Sequence, residues 1–232
     1  MGKRVTMVVD WLGAGARLWR WAPSVCALCG QSCRRTPARC CDACRVGLTA
    51  RHDTGRSVRL DHGAVPACFA FRYAGPLADW LVEAKFGRAP PSPGEILTPW
   101  ATASSNAAAT ASIDAWVAIP PQLDRLRSRG WHVPDLLAGR LGKASGHPVE
   151  RLLVRTDRGA PRSRDHGVLP HFAAAGRRDG RRVALVDDVV TRGETMRLAA
   201  AALTRAGHEV VLLAALADAG RGDDSCRSAE PA

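Results

Sequence analysis

The chain has 232 residues and a formal net charge of +11 at pH 7, to which 30 Arg but only 3 Lys contribute. This length suits one α/β domain with a small appendage, and it supports a buried core. No apolar run approaches the ~18 residues that a membrane span requires, and no signal-peptide core with a cleavage site opens the chain. We therefore expect a cytoplasmic protein whose cysteines are free thiols or metal ligands.

The positive charge is unevenly distributed. Between residues 121 and 182 there are 14 basic residues against 6 acidic ones. A local excess of this kind suits a polyphosphate ligand or a nucleic-acid backbone.

The first 21 residues contain three tryptophans among arginines and apolar residues: Trp11, Trp19 and Trp21. The pattern predicts a short amphipathic helix. Such a helix either docks on the rest of the protein or stacks its rings on single-stranded bases.

Two C-x2-C pairs follow, separated by eleven residues. This spacing can place four thiolates tetrahedrally around a structural Zn²⁺ ion. The alternative is a cluster of reduced cysteines without metal. Cys33 and Cys40 lie nearby, but Cys41 rather than Cys40 has the two-residue spacing to Cys44. The predicted zinc ligands are Cys26, Cys29, Cys41 and Cys44.

The next stretch mixes elements and loops. Residues 51–63 are polar and predict a linker or hairpin, and residues 67–73 alternate as in a strand. Helical spacing covers residues 77–86. The Pro-, Ala- and Ser-rich segment that follows predicts some helix over 95–103 and a loose loop over 106–112.

A buried strand is predicted over residues 114–119, closed by two prolines. An arginine-rich turn comes next, and then a helix over 131–141. Residues 152–155 and a segment from Phe172 read as short strands. The polar end of the chain, from Gly220 onward, has the composition of a disordered tail.

The most informative stretch begins at Val183. An apolar strand over 183–186 ends on Asp187 and Asp188, a turn at Thr191–Thr195 follows, and an Ala/Leu-rich helix stops at Gly207. Carboxylates at the carboxyl end of a strand can accept hydrogen bonds from vicinal hydroxyls. The turn and the helix N-terminus present backbone N–H groups to a phosphate. The order favours a sugar-phosphate site over an ordinary βα turn.

This stretch resembles the phosphoribosyl pyrophosphate (PRPP) motif of type I phosphoribosyltransferases. The resemblance implies that Asp187 and Asp188 hold the ribose hydroxyls and act in catalysis. It also implies that the turn holds the 5′-phosphate through Thr191, Arg192, Gly193, Glu194 and Thr195. Glu194 is the residue of the turn that suits phosphate binding least, because its carboxylate must point away from a bound phosphate.

A longer series of segments resembles the ComF family of competence-associated, phosphoribosyltransferase-like proteins. The cysteine pairs precede a Tyr-x-Gly segment at Tyr73, a Lys-Phe pair at Lys85, an Arg-x-Arg-Gly-aromatic segment ending at Trp131, and the PRPP motif. The resemblance implies a pyrophosphate-binding loop over 120–129. Its expected PRPP contacts are Arg125 and Arg129, together with Lys85.

Two segments depart from the family pattern. His132-Val133 stands where ComF proteins carry Asn-Gln. The charged segment 156–170 occupies the position of the mobile loop that closes over substrates, but the family's polar residues are not recognisable there. Both departures bear on turnover more than on ligand binding.

The sequence therefore predicts a mainly parallel α/β sheet of four to six strands, flanked by helices as in type I phosphoribosyltransferases, with a small zinc-binding module. The predicted division is a module over 1–62, a main domain over 63–218 and a tail over 219–232. The resemblance implies PRPP, Mg²⁺ and Zn²⁺ as ligands, and a role in DNA uptake with proteins of the competence machinery as partners.

Two functions from different classes remain open. One is an enzyme that transfers phosphoribose to an unidentified acceptor. The other is a module that binds single-stranded DNA through its basic face and keeps the PRPP site as a relic or sensor.

Overall fold

The structure is a computed structural model that describes residues 24–26, 28–29, 31–33, 40–48, 56–86, 97–156, 170–176 and 179–220. Over these ranges no helix is both long and apolar enough to cross a membrane. The helix expected in the first 21 residues, most of the loop expected over 156–170 and nearly all of the expected tail lie outside the described residues.

The described residues form nine strands and six helices. The strands are β1 Ser24–Val25, β2 Ser32–Cys33, β3 Arg56–Leu60, β4 Gly63–Arg72, β5 Ala115–Ala118, β6 Leu153–Arg155, β7 Phe172–Ala174, β8 Arg182–Val190 and β9 Glu209–Asp218. The helices are α1 Asp42–Gly47, α2 Gly75–Phe86, α3 Thr98–Ala111, α4 Leu123–Arg129, α5 Val133–Ser145 and α6 Glu194–Arg205.

The main sheet has five strands in the order β3-β4-β9-β8-β5. β4, β9, β8 and β5 run parallel to their neighbours, and β3 forms an antiparallel hairpin with β4. β8 and β9 are adjacent parallel strands joined by α6, which makes them a βαβ unit. The expected mainly parallel sheet flanked by helices is confirmed.

Side chains of the central strands alternate between two cores. Ala184 and Val186 of β8 pack on one face with Leu137 and Leu141 of α5, and α2 and α3 cover the same face. Leu185 faces the opposite side, which α6 covers. Because both faces are covered, β8 and β9 are nearly continuous apolar runs, as expected for buried parallel strands.

The helices that follow β8 and β5 leave the sheet on opposite sides. α6 follows β8 and covers one face, whereas α5, which is the second helix after β5, covers the other. These two strands are neighbours in the sheet. A crevice therefore opens beyond their carboxyl ends, which is where ligands bind in open α/β sheets.

Several element boundaries differ from those expected. β8 continues four residues beyond Val186, because β9 pairs with it as far as Val190. The expected loop over 106–112 is the end of α3, where three consecutive alanines favour the helix over the neighbouring Asn and Thr. The expected pyrophosphate loop contains a helix, α4. β6 pairs with β7 outside the main sheet.

The N-terminal cysteine segment lies against the main core. Leu28 and Leu48 pack on the core that α2, α3 and α5 share, and α1 contacts α2. β3 belongs to the main sheet, so that sheet begins at Arg56, before the predicted division at residue 62.

Candidate functional site

A cleft of about 550 Å³ occupies the crevice beyond β8 and β5. Its lining comes from the end of α2, the segment after β5, the end of β6 and the end of β8. The predicted PRPP contacts in its wall are Lys85, Arg125, Arg129, Asp187, Asp188, Thr191 and Thr195.

The two acids form a closely coupled pair on β8. The Asp187 side chain is buried, with 8% of the residue exposed, and its Oδ1 accepts a hydrogen bond of 2.8 Å from the backbone N–H of Asp188. Burial, reinforced by the negative charge of Asp188, raises the pKa of Asp187 to about 8. Burial in the cleft therefore favours the protonated form of Asp187.

Asp188 is paired with a lysine from another element. The Lys85 Nζ lies 3.0 Å from each carboxylate oxygen of Asp188. Lys85 belongs to the last turn of α2, far from Asp188 in sequence. The pair brings an element that precedes β5 into direct contact with the end of β8.

Arginines line the same cleft as the acids. Arg125 and Arg129 come from α4, and the guanidinium of Arg129 lies 5.8 Å above the centre of the Phe86 ring. Arg155, at the end of β6, lines the same cleft, and its charge lowers the pKa of Asp187 against the larger effect of burial. Sequence analysis missed Arg155. The position of Arg155 at the carboxyl end of a predicted strand was a signal in the sequence. The sequence did not indicate that this strand ends at the cleft.

The turn after β8 forms a second recess of about 290 Å³, which shares Asp187, Thr191 and Thr195 with the main cleft. Gly193 has φ +75°, in the left-handed region, and a Cβ there would lie 3.0 Å from Cγ1 of Val58. Glycine therefore satisfies both the turn and the close approach of β3.

Helix α6 begins at Glu194, directly after this glycine. The first-turn N–H groups of a helix have no partner within the helix, and they point toward a ligand at its N-terminus. The Glu194 side chain is exposed and also lines the recess, with Arg192 beside it. The recess thus combines anion-binding backbone with one competing carboxylate.

Aromatic side chains occupy the outer part of the main cleft. Phe86 is 69% exposed and Tyr73 is 37% exposed. Trp131 also lines the cleft, and its Nε1 donates a 3.0 Å hydrogen bond to the carbonyl of Ala84. His132, where the family pattern has a polar amide residue, lines the cleft with Nδ1 3.3 Å from Oδ2 of Asp135.

The four cysteines of the two C-x2-C pairs converge. Their Sγ atoms all lie within 4.8 Å of one another, and Cys29 Sγ is 3.8 Å from Cys41 Sγ. A tetrahedral zinc with Zn–S bonds of about 2.3 Å needs sulfurs about 3.8 Å apart. The cluster of Cys26, Cys29, Cys41 and Cys44 could therefore bind a metal such as zinc.

Backbone donors surround these sulfurs. The N–H of Cys41 lies 3.4 Å from Cys26 Sγ, and the N–H of Cys44 lies 3.4 Å from Cys41 Sγ. Hydrogen bonds of this kind stabilise thiolate ligands. Cys40 differs from Cys41, because its Sγ contacts the Cys41 carbonyl at 3.5 Å and does not belong to the converging set.

The structure thus brings the predicted site residues together in three groups. The main cleft gathers the acids, Lys85 and the two arginines of α4, and the recess gathers residues 191–195. The cysteine cluster is separate from both. Trp11, Trp19 and Trp21 lie outside the described residues.

Comparison with known families supports the reading of the motif. The phosphoribosyl transferase domain model matches residues 143–227, a stretch that includes the acid pair and the turn. Over this stretch the chain is similar to phosphoribosyltransferases, and its mostly parallel sheet flanked by helices is of the type that they have. The narrower resemblance to the ComF family stays a prediction. A comparison with curated proteins found no significant match.

Solved structures with detectable similarity include glutamine PRPP amidotransferase from B. subtilis, at 24% identity and TM-score 0.32, covering 50% of this chain and 26% of that chain. Adenine phosphoribosyltransferase from Leishmania tarentolae is 14% identical, with TM-score 0.38, covering 66% of this chain and 91% of the other. A hypothetical protein from Neisseria gonorrhoeae with bound ppGpp is 18% identical, with TM-score 0.30, covering 54% and 71% of the two chains.

The cysteine cluster generates a prediction about metal content. Protein purified without chelator should contain about one zinc per chain, because four thiolates can complete its tetrahedral shell. Cys41→Ser should lose the metal, whereas Cys40→Ser should keep it. Elemental analysis of the three proteins measures both. Folded wild-type protein without metal would contradict the prediction.

The buried acid generates a prediction about stability. Since folding raises the pKa of Asp187, the folded state keeps a proton that the unfolded state releases, and stability falls as pH rises from about 4 to 8. Asp187→Asn removes this loss and keeps an acceptor for the Asp188 N–H. Because raising the pKa from about 4 to about 8 corresponds to about 5 kcal/mol, we expect its Tm to exceed that of the wild type by roughly 10 °C or more at pH 8, with no difference near pH 4.

Thermal melts across this pH range measure the effect. Asp79→Asn, which removes an exposed carboxylate on α2, is the matched control and should follow the wild type. A constant difference between Asp187→Asn and the wild type at all pH values would show that the proton is not responsible.

Proposed function

We propose that this chain binds PRPP in the cleft beyond β8 and β5 and transfers its phosphoribosyl group to an acceptor. The observation that carries the proposal is the convergence of a buried acid pair, an anion-binding turn and two arginines, from separate segments, on one cleft. The phosphoribosyl transferase domain match over residues 143–227 supports it.

The three parts of the ligand have chemically suitable partners. The 5′-phosphate would sit in the recess at Thr191–Thr195, where backbone N–H groups point outward. The ribose hydroxyls would donate hydrogen bonds to Asp187 and Asp188. The pyrophosphate would face Arg125 and Arg129, which supply positive charge in the same cleft.

In the proposed reaction, the bond between ribose C1 and the pyrophosphate oxygen breaks, and its electron pair leaves with pyrophosphate. A nucleophilic atom of the acceptor then forms the new bond to C1. Positive charge develops on the ribosyl group while negative charge grows on the leaving group. Arg125 and Arg129 would stabilise the leaving group, and the acid pair would hold the ribose in position.

Magnesium fits this site as a companion of the ligand. Mg²⁺ prefers oxygen donors and is usually bound through one or two carboxylates together with substrate phosphates, rather than by an all-protein cage. The cleft contains one pair of neighbouring carboxylates, Asp187 and Asp188, and Asp188 is paired with Lys85. When bound, the ion would add further positive charge at the pyrophosphate.

A calorimetric titration with PRPP in the presence of Mg²⁺ tests the proposal. Asp188→Asn should weaken binding roughly ten- to a hundredfold, or ~1.5–3 kcal/mol, because a charged acceptor of ribose hydroxyls is lost. Gly193→Val should weaken it more, since the left-handed backbone and the 3.0 Å approach to Val58 exclude a branched side chain. Wild-type protein that ignores millimolar PRPP would overturn the proposal.

Glu194→Gln should change PRPP affinity in the opposite direction in the same titration. The carboxylate of Glu194 lines the recess that would hold the 5′-phosphate, so removing its charge should tighten PRPP binding. Glu83→Gln on the exposed face of α2 is the matched control and should leave affinity unchanged.

We also propose a second candidate function, binding of single-stranded nucleic acid. Exposed Phe86 and Tyr73 border the same cleft as Arg125 and Arg129, and exposed aromatic rings among arginines suit base stacking with phosphate neutralisation. The ComF resemblance would place this function in DNA uptake.

Binding of a single-stranded oligonucleotide should weaken steeply with salt, because arginine–phosphate contacts release counterions. Phe86→Ala should lower affinity by about 1–3 kcal/mol if a base stacks on the ring. Fluorescence anisotropy at several salt concentrations measures both. Binding that does not respond to salt, or no binding at low salt, would remove this candidate.

A further inference from the structure

Lys85 contacts both carboxylate oxygens of Asp188. Its Nζ lies 3.0 Å from both carboxylate oxygens, with 32% of the Lys85 side chain and 14% of the Asp188 side chain exposed. A single ammonium thus covers the accessible edge of the carboxylate. In a chain with 30 Arg and 3 Lys, the residue at this point is one of the few lysines.

The fold fixes Lys85 in this position from both sides. The preceding residue, Ala84, accepts a 3.0 Å hydrogen bond from Trp131 Nε1. The following residue, Phe86, lies under the guanidinium of Arg129. Both tethers come from the segment after β5, so the end of α2 is tied to another part of the cleft lining. The pairing is therefore built into the fold.

A carboxylate in this cleft can accept hydrogen bonds from ribose hydroxyls, but it repels phosphates. PRPP carries several negative charges, and an uncompensated Asp188 would repel them in a partly desolvated site. A cation beside Asp188 removes the repulsion while leaving carboxylate lone pairs available to hydroxyl donors, since a carboxylate offers about four acceptor positions.

On the basis of the proposed function, we propose that Lys85 is the resident counter-ion of Asp188 and performs, within the chain, the charge neutralisation that Mg²⁺ performs from solution. Lys85 is a positioning residue in this scheme, because it acts on PRPP through Asp188. The Lys85 ammonium and Mg²⁺ therefore substitute partly for each other. Removing one of them makes PRPP binding depend more strongly on the other.

Calorimetric PRPP titrations of wild-type protein and Lys85→Met, each in EDTA and in excess Mg²⁺, form a double-perturbation cycle. Wild-type affinity should fall less than about tenfold when Mg²⁺ is removed, whereas that of Lys85→Met should fall about a hundredfold or more. Lys85→Gln should behave like Lys85→Met, and Lys85→Arg should restore the wild-type pattern, because guanidinium also neutralises the carboxylate.

Lys143→Met is the matched control, since Lys143 is an exposed lysine on α5. It should leave the Mg²⁺ dependence of the wild type unchanged. Equal losses of affinity by Lys85→Met with and without Mg²⁺, or no loss at all, would overturn the proposal. Thermal melts establish that each variant is folded before it is titrated.

A measurement without PRPP separates this inference from the proposed function. Mn²⁺ should raise the Tm of Lys85→Met, because Asp188 is then open to a divalent ion, and should leave the wild type unchanged. If wild-type protein does not bind PRPP in EDTA or in excess Mg²⁺, the proposed function fails. The Mn²⁺ measurement then tests the role of Lys85 independently. A Tm of Lys85→Met that does not respond to Mn²⁺ would refute the counter-ion role.

Discussion

The structure depends on the pairing of β8 with β9 beyond the end of the apolar run. Because β9 continues to Asp218, β8 is held as a strand through both acids to Val190. Asp187 is thereby buried beside Asp188, at the point where helices leave for opposite faces of the sheet. Core packing and the position of the candidate site thus follow from the same strand.

The burial of one acid beside another does not by itself stabilise the folded state. Desolvation and like charge both oppose the ionised form of Asp187, and its neighbour Asp188 forms an ion pair with Lys85. A hydrophobic pair of similar size would pack in the same place without this loss. Strongly perturbed carboxyls in a cleft are typical of functional sites, which agrees with the sugar-phosphate interpretation.

The sequence predicted those parts of the site that are local in the chain. The acid pair, the Thr191–Thr195 turn and each of the two C-x2-C pairs lie within a few residues of the chain, so their spacing indicated their chemistry. Arg155 was missed because its position depends on how β6 pairs with β7 outside the main sheet. The contact between Lys85 and Asp188 was not predictable either, since it depends on the angle at which α2 crosses the sheet.

Local composition misled in one place for an identifiable reason. Residues 106–112 contain Asn, Thr and Ser, which favour loops, but the alanines among them have high helix propensity. Ala108 packs fully buried in the core, and Ser112 ends the helix in a left-handed conformation. Tertiary burial decided the outcome, and single-residue preferences carry no information about burial.

Helix α2 connects the acid pair with the cysteine cluster. Its last turn carries Lys85 to the acid pair, while α1, which carries Cys44, contacts it from the side of the cysteine cluster. Leu28 and Leu48 pack from that cluster onto the core that α2 helps to form. Because core packing is dense and transmits displacement, the cysteine segment forms part of the support that holds Lys85 within 3.0 Å of Asp188.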